Sequence, residues 1–328
     1  MAKILVTGGA GYIGSHTSRR LLRQGHDVIV VDDLSRGYAH NVESARLWKI
    51  HLTDVEQLVR LMAAERFDAV IHFAAYIAVG ESTRDPELYF ANNVAGTIGL
   101  LSAMQKAGLR RMVFSSTAAV YGMPDRMPIT EDMPFAPVNP YGESKVMVER
   151  MLGWLDRHRD FRSVALRYFN ACGAEPDGAY GEEHDPETHL IPLVLRAIAT
   201  GRPVTVFGND YETPDGTCIR DYIHVADLAE AHVLALESLL KDGPSDAFNV
   251  GTGQGHSVLD VLAAAEAVTG RKAPYEMGPR REGDPPVLVA SSAKLQQALG
   301  WKPAYTDLTE IVRTAWAFEQ KRKTPQRK

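Results

Sequence analysis

Cysteine is nearly absent: Cys172 and Cys218 are the only two in 328 residues. One pair cannot staple a chain of this length, so the fold must rest on its core, and such sparing use suits a reducing, cytoplasmic setting. Nowhere is there an apolar run of the roughly 20 residues that a membrane-spanning helix needs. The N-terminal stretch Ile4-Leu5-Val6 runs almost at once into glycine; it is too short for a secretory signal core and reads as a buried strand. Positive charge is not in surplus. Thirty-six Lys and Arg face 41 Asp and Glu, a formal charge of −5, which removes any general attraction to nucleic acid or anionic membrane. There is no internal repeat. The basic run Lys321 to Lys328 contains Pro325 and reads as a solvated tail. Metal-ligand spacing is lacking too: His184 and His189 share one segment without a recognisable ligand pattern, so no metal is expected.

What is present is a core. Apolar residues make up 45% of the chain, ample for a large buried interior. Short Val- and Ile-rich runs at Lys3–Val6, Val28–Asp32, Ala69–Phe73, Met112–Ser115 and Val164–Arg167 alternate with helix-length patterns near 13–24, 54–65, 86–107 and 141–158. This rhythm predicts an α/β fold, a doubly wound parallel sheet covered on both faces. It changes after about residue 170, where 171–188 is rich in Gly, Pro, Asp and Glu and reads as a loop or boundary. Helices near 190–200, 225–240, 257–269, 291–299 and 306–320 follow. The expectation is a Rossmann-type domain over 1–170, with 222–247 packing back on it, and a smaller mixed α/β substrate domain over 171–328.

The first strand enters Thr7-Gly8-Gly9-Ala10-Gly11-Tyr12-Ile13-Gly14, and a helix follows. Gly8, Gly11 and Gly14 permit a tight turn, close backbone approach and close helix packing, and the helix N-terminus then presents free N–H groups to a pyrophosphate. The spacing is Gly-x-x-Gly-x-x-Gly rather than the standard Gly-x-Gly-x-x-Gly, but its place between strand and helix is right. About twenty residues on, Asp32 ends the second strand, placed to accept from adenosine ribose hydroxyls and to repel a 2′-phosphate. Asp33 strengthens a preference for NAD over NADP, and Arg36 opposes it.

Tyr141 and Lys145 stand four apart at the start of a helix, so they share a face. An ordinary tyrosine, with a pKa of about 10, is a poor base at neutral pH. One positive charge at about 4 Å supplies on the order of 4 kcal/mol at intermediate dielectric, roughly three pKa units. Lys145 is one such charge. By itself the spacing is within reach of chance in a chain with twelve tyrosines. Phe114-Ser115-Ser116-Thr117 adds hydroxyls where a strand should end at the C-terminal edge of the sheet, the edge at which open α/β sheets bind ligands.

These segments, together with His72-Phe73-Ala74-Ala75, Asn92-Asn93-Val94, Arg167-Tyr168-Phe169-Asn170, Phe207-Gly208-Asn209-Asp210-Tyr211, Arg220-Asp221-Tyr222-Ile223-His224-Val225 and Arg280-Arg281-Glu282-Gly283-Asp284, resemble the extended short-chain dehydrogenase/reductase family over nearly the whole chain, and within it the UDP-sugar 4-epimerases. The resemblance implies an isomerase with a tightly bound NAD that is not consumed. Tyr141 would act as phenolate on the sugar 4-hydroxyl, Thr117 would hydrogen-bond the same oxygen, and Lys145 would hold the nicotinamide ribose and lower the Tyr141 pKa. A transient 4-keto sugar would turn over in the site, interconverting UDP-glucose and UDP-galactose. Further cofactor contacts implied by the family are Tyr12, Ile13, Ser35, Leu52, Phe73, Ala74, Ala75, Asn92, Ser115, Tyr168 and Phe169. The UDP-sugar would be held by Asn170, His189, Leu190, Val206, Phe207, Tyr222 and Asp284, with Arg220 and Arg281 neutralising its diphosphate.

Three positions depart from the pattern. The carboxylate that often meets adenine is missing from Ile50-His51-Leu52, and Ile77 stands where some members carry Lys. Leu288, four past Asp284, replaces the Tyr of members with a tight sugar pocket; this implies room for a 2-acetamido group, and so for UDP-N-acetylglucosamine and UDP-N-acetylgalactosamine. The rivals are weaker. A 4,6-dehydratase needs an acid and a base after Thr117, where this chain has Ala118-Ala119. A UDP-uronate or UDP-pentose enzyme, a net oxidoreductase and a non-catalytic NAD-binding protein also compete. The family further implies a homodimer through helices near 87–107 and 141–157; Leu100, Leu101, Met104, Met147 and Met151 serve either that interface or the core.

Overall fold

The computed structural model describes residues 1–42, 45–281 and 283–322; the end of the basic tail and Glu282 lie outside them. In chain order the strands are β1 (Lys3–Thr7), β2 (Asp27–Asp32), β3 (Arg46–Lys49), β4 (Ala69–His72), β5 (Arg111–Thr117), β6 (Arg162–Tyr168), β7 (Asn170–Cys172), β8 (Val204–Phe207), β9 (Ile219–His224), β10 (Asp246–Val250), β11 (Gly255–Ser257), β12 (Tyr275–Gly278) and β13 (Val287–Leu288). The helices are α1 (Tyr12–Arg23), α2 (Val55–Glu65), α3 (Val79–Arg84), α4 (Pro86–Tyr89), α5 (Gly96–Lys106), α6 (Pro140–Arg159), α7 (Leu190–Thr200), α8 (Val225–Leu240), α9 (Val258–Thr269), α10 (Ala293–Leu299) and α11 (Leu308–Lys321).

Seven strands form one parallel sheet in the order β10-β6-β5-β4-β1-β2-β3. Side chains alternate across a strand, so Ile4 and Val6 enter one core with Leu21 of α1 and Leu228, Leu236 and Leu239 of α8. Leu5 enters the other with Leu58 of α2, Leu100 and Met104 of α5 and Leu152 of α6. Both faces are buried, which is why the strands are nearly continuous apolar runs. The doubly wound sheet is the one the sequence predicts. Leu100 and Met104 are fully buried, which resolves those two positions as core; Ile98 of α5 and Met147 and Trp154 of α6 are exposed large apolar residues.

Two strands of the sheet fall outside the predicted runs. The edge strand β3 is Arg-Leu-Trp-Lys and mostly exposed, so it lacks the apolar signature. Strand β10 comes late in the chain and pairs parallel with β6. The predicted helix over 86–107 is interrupted by a π-helical turn, Phe90–Ala95. Across the sheet, β9 pairs with β7, β11 and β13, and β8 with β12. A third core gathers Leu195 of α7, Val206, Leu262 of α9 and Ile311 of α11 around these small sheets.

The strand order reverses between β1 and β4: β2 and β3 lie to one side, β4, β5, β6 and β10 to the other. That reversal opens a crevice at the carboxyl ends of the strands.

Candidate active site

The glycine turn sits at the end of β1. A Cβ on Gly8, whose φ is +73°, would lie 2.4 Å from the Ala74 backbone N, and one on Gly14 would lie 2.3 Å from the Gly8 carbonyl. Only glycine permits these approaches. Helix α1 begins after Gly11 with no side-chain cap and no acidic residue in its first turn, so the N–H groups of Tyr12, Ile13 and Gly14 face the crevice without helical partners. A glycine cradle with an uncapped helix end fits the pyrophosphate of a dinucleotide.

The surrounding groups set the cradle rigidly. Asp32 accepts from Ala10 N at 3.0 Å and Leu34 N at 2.8 Å, so it anchors the turn as well as ending the strand. Ser35 donates its backbone N–H and its hydroxyl to Asp33. Arg36, expected to oppose a preference for NAD, donates to Glu81 at 2.8 Å and lies over Tyr76, so its charge is committed. His51 Nε2 is 3.9 Å from Asp33, at the end of the crevice where adenosine would lie. Leu52 is buried against Gly99, which lets its carbonyl approach α5, while Ile77 is exposed. Phe73 N donates to the Thr7 carbonyl, and Ala75 follows the Ala74 backbone that touches Gly8. His72 bridges Thr7 at 2.7 Å and Thr97 at 2.9 Å; burial pushes it down to about 3, so it is a neutral strut.

Thr117 is the last residue of β5, Tyr168 the last of β6, and the two are register partners. Helix α6 starts at Pro140, capped by Asn139, whose side chain accepts from Gly142 N at 2.8 Å. A Cβ on Gly142 would fall 2.6 Å from the Ala119 carbonyl. That glycine, inside the Tyr-x-x-x-Lys spacing, lets α6 settle on the turn after Thr117 and brings Tyr141 to it. Lys145 Nζ donates to the Ser115 carbonyl at 2.8 Å, and the Ser115 hydroxyl pairs with Tyr168 Oη at 2.5 Å. Phe169 and Ala118 pack together with Leu288 beside this edge.

In the protein without its dinucleotide, burial dominates the electrostatics of the Tyr141–Lys145 pair. The Lys145 ammonium is turned to Ser115, with Nζ 5.9 Å from the Tyr141 ring centre. Burial pushes Tyr141 up to about 12, with a Thr117 hydrogen bond pulling the other way. Burial also pushes Lys145 down to about 7, opposed by Glu149. The helix face brings the two together as predicted, but in a medium that disfavours both ions.

Arg220 and Asp284 meet at 3.3 Å, and Arg281 lies 4.0 Å over the Phe207 ring. Leu288 pairs in register with Arg220, and Asn170 with the buried Tyr222. Two predicted contacts are redirected. The Val206 side chain is buried in the small-sheet core, because alternation turns it away from Phe207. His189, just ahead of Leu190 at the start of α7, does not cap its helix. Its Nδ1 lies 2.5 Å from Glu182 and 3.5 Å from Glu187. Tyr12 reaches across instead, donating to the Gly173 carbonyl at 2.6 Å.

Some residues of the site carry no signal that sequence reading picks out. Beside Asn92, it is Asn93 that ties the crevice together: it bonds Tyr76 N and O and the Ser144 hydroxyl. In the sequence it stands only within the Asn92-Asn93-Val94 segment; its role follows from its place in the π-helical turn. Beneath β5, Glu149 binds Arg167 and Ser116; it stands four past Lys145, on the same helix face.

The profile of the NAD dependent epimerase/dehydratase family matches residues 4–251. The chain belongs to that family. Among its members, a UDP-glucose 4-epimerase of Streptococcus mutans is 50% identical over 320 residues, 96% of each chain. The crystal structure of a Brucella ovis UDP-glucose 4-epimerase in complex with NAD superposes with a TM-score of 0.94 at 48% identity, covering 96% of this chain and 98% of that one. A Bifidobacterium longum UDP-glucose 4-epimerase in complex with NAD+ and UDP gives 0.93 at 38% identity, covering 97% and 98%. As a family member, the chain places its Ala118-Ala119 pair against the Thr117 end of the site.

Proposed function

We propose that this chain is a UDP-glucose 4-epimerase: it interconverts UDP-glucose and UDP-galactose at C4 with NAD retained throughout. The observation that carries the reading is Thr117 and Tyr141 meeting at the end of β5, with Lys145 one turn along and two alanines where a dehydratase needs its acid and base. The near full-length likeness to UDP-glucose 4-epimerases supports the substrate.

Gly8, Gly11, Tyr12, Ile13 and Gly14 would hold the NAD pyrophosphate, Asp32 and Asp33 its adenosine ribose, and Asn92, Ser115, Lys145, Tyr168 and Phe169 its nicotinamide half. When bound, NAD accepts and returns the C4 hydrogen with its electron pair. Tyr141 removes the proton of the sugar 4-hydroxyl and later gives it back, so one residue is base and acid in a single cycle. Thr117 orients that oxygen. Arg220 and Arg281 clamp the diphosphate, and Asn170, Phe207, Tyr222 and Asp284 hold the nucleoside, leaving the sugar loosely held so that either face of C4 can be presented. Residues 1–170 with 222–247 form the dinucleotide half of this arrangement and the rest of 171–328 the nucleotide-sugar half. A second copy pairs across α5 and α6, where Ile98, Met147 and Trp154 are exposed, and the enzyme works in the cytoplasm.

Leu288 favours a second substrate pair. It packs with Ala118 and Phe169, so a side chain without a phenol ring opens the sugar pocket to a 2-acetamido group. The test is incubation with UDP-galactose, UDP-N-acetylgalactosamine and UDP-xylose without added NAD, reading epimer ratios. UDP-glucose and UDP-N-acetylglucosamine should form. Tyr141→Phe should keep its NAD and lose roughly 10²- to 10⁴-fold in turnover. Near-normal turnover in that variant, or a need for stoichiometric added NAD, overturns the reading; turnover of UDP-galactose alone overturns only the N-acetyl extension.

A further inference from the structure

We propose that Glu182, His184, Glu187 and His189 bind a divalent transition-metal ion of the zinc class, which fixes the segment between β7 and α7. The four residues occupy eight positions of a loop, as Glu-x-His-x-x-Glu-x-His. Sequence spacing alone does not identify them as a ligand set. The fold brings one ligand atom from each within 4.8 Å of the others. Glu182 Oε1 is 3.2 Å from His184 Nδ1 and 2.5 Å from His189 Nδ1; Glu187 Oε1 is 3.7 Å and 3.5 Å from the same two nitrogens. A tetrahedral ion bonded at about 2.0–2.1 Å sets its ligands roughly 3.3–3.4 Å apart. Most of these separations lie close to that edge length.

The competing explanation is a pair of imidazolium–carboxylate ion pairs. Such pairs need the ring N–H aimed at the carboxylate oxygen. Here His184 Nδ1, His189 Nδ1 and Glu182 Oε1 are all buried and stand at ion-pair distance, but neither Nδ1 aims a ring N–H squarely at a carboxylate oxygen. The Glu182 side chain is only 5% exposed. Three buried polar atoms thus converge at charge-pairing distance without a well-directed hydrogen bond between them, an arrangement that a common cation in their midst would complete.

The shell around the ligands is already built. Glu187 Oε2 accepts from Arg196 at 3.2 Å, and Oε1 accepts from the backbone N–H groups of Thr188 and His189 at 2.9 and 3.1 Å. Outer contacts of this kind orient ligating carboxylates. The Tyr12 ring closes one side, edge-on to His184. Two neutral imidazoles and two carboxylates carry two negative charges, which one divalent cation neutralises. Imidazole nitrogen selects zinc-class ions over magnesium or calcium, which prefer oxygen alone. With four protein ligands the site is closed, so its role is structural. It holds His189 at the first turn of α7 and presses the loop against Tyr12 at the glycine turn. The assignment stands independently of which sugar nucleotide the enzyme turns over.

The test uses tag-free, full-length protein grown with added zinc and dialysed against metal-free buffer. Elemental analysis should find one zinc per chain, and diffraction at the zinc edge should place it among the four named atoms. His184→Gln/His189→Gln should lose the metal, and Arg196→Met should bind zinc roughly 10- to 100-fold more weakly in competition with a chelator. Wild-type protein that neither carries zinc nor takes it up when titrated overturns the proposal, as does an anomalous peak elsewhere or a double variant that keeps the full metal content. The wild-type measurements decide the matter even where a variant fails to fold.

Discussion

Glu149 and Arg167 make a sharp test of how the catalytic strand is supported. Their side chains are 6% and 7% exposed and meet at 2.6 Å. Arg167 Nε lies 3.0 and 3.1 Å from the two carboxylate oxygens, and Nη1 donates to Tyr121 Oη at 2.8 Å. Glu149 also takes the Ser116 hydroxyl, one residue before Thr117. Glu149→Gln keeps the shape but removes the charge that answers a guanidinium unable to lose its proton. Breaking a buried pair on one side costs about 3–5 kcal/mol, because the remaining ion is left uncompensated. The Phe135 ring, 4.7 Å from the guanidinium, touches it in both forms and leaves the difference unchanged. The expected loss is about 3–5 kcal/mol. Glu149→Gln/Arg167→Met removes both ions and should be less destabilised than the sum of the single variants by at least about 2 kcal/mol. Denaturant unfolding of the three variants with saturating dinucleotide measures this, with the m-value as a check that the unfolded state is unchanged. A Glu149→Gln loss below about 1 kcal/mol, or singles that add within about 0.5 kcal/mol, refutes the idea that this pair is a coupled support.

Lys145 titrates with the opposite sign to a paired lysine. Its folded pKa, about 7, lies below the unfolded value of about 10.4, so across that window the unfolded chain holds a proton the native one has released and stability rises with pH. Between about pH 7.5 and about pH 9.5, dinucleotide-stripped wild type should gain roughly 2–3 kcal/mol relative to Lys145→Met; a flat or falling difference would sink the assignment. Gly14→Ala puts a methyl 2.3 Å from the Gly8 carbonyl and 2.9 Å from Gly9 Cα, so α1 must move off its turn at a cost of about 1–3 kcal/mol. Purified Gly14→Ala should contain little dinucleotide, and wild-type content read from its absorbance would show that the contact is not limiting.

The features legible in sequence were those whose chemistry lies in one short segment. The glycine turn needs three glycines in seven residues, and Tyr141 and Lys145 need one helical turn, so both survive reading without coordinates. The buried strands β1, β2, β4, β5 and β6 announced themselves because both faces of the sheet are covered. Strand β3 did not, since an edge strand with Arg, Trp and Lys has no apolar run to find. Facing was the second blind spot: Val206 and Phe207 are neighbours in sequence and opposites in space. The Glu182–His189 quartet was the third. Its loop has neither helical nor strand period, so only the folded path of the backbone brings four ligand atoms to one point.

The site's electrostatics carry a further consequence. Burial moves Tyr141 and Lys145 apart, to about 12 and about 7, and near pH 8 the protein alone therefore keeps both neutral. An isolated tyrosinate in that medium is costly, which protects the base from idle ionisation. A positive charge brought within about 4 Å of the phenol contributes on the order of 4 kcal/mol at intermediate dielectric, roughly three pKa units. That would return Tyr141 from about 12 to the range where phenolate is populated near pH 9, and a protonated Lys145 released from the Ser115 carbonyl would carry it lower still. The helix spacing that first marked these residues thus sets where the charges meet, and burial sets that they ionise together.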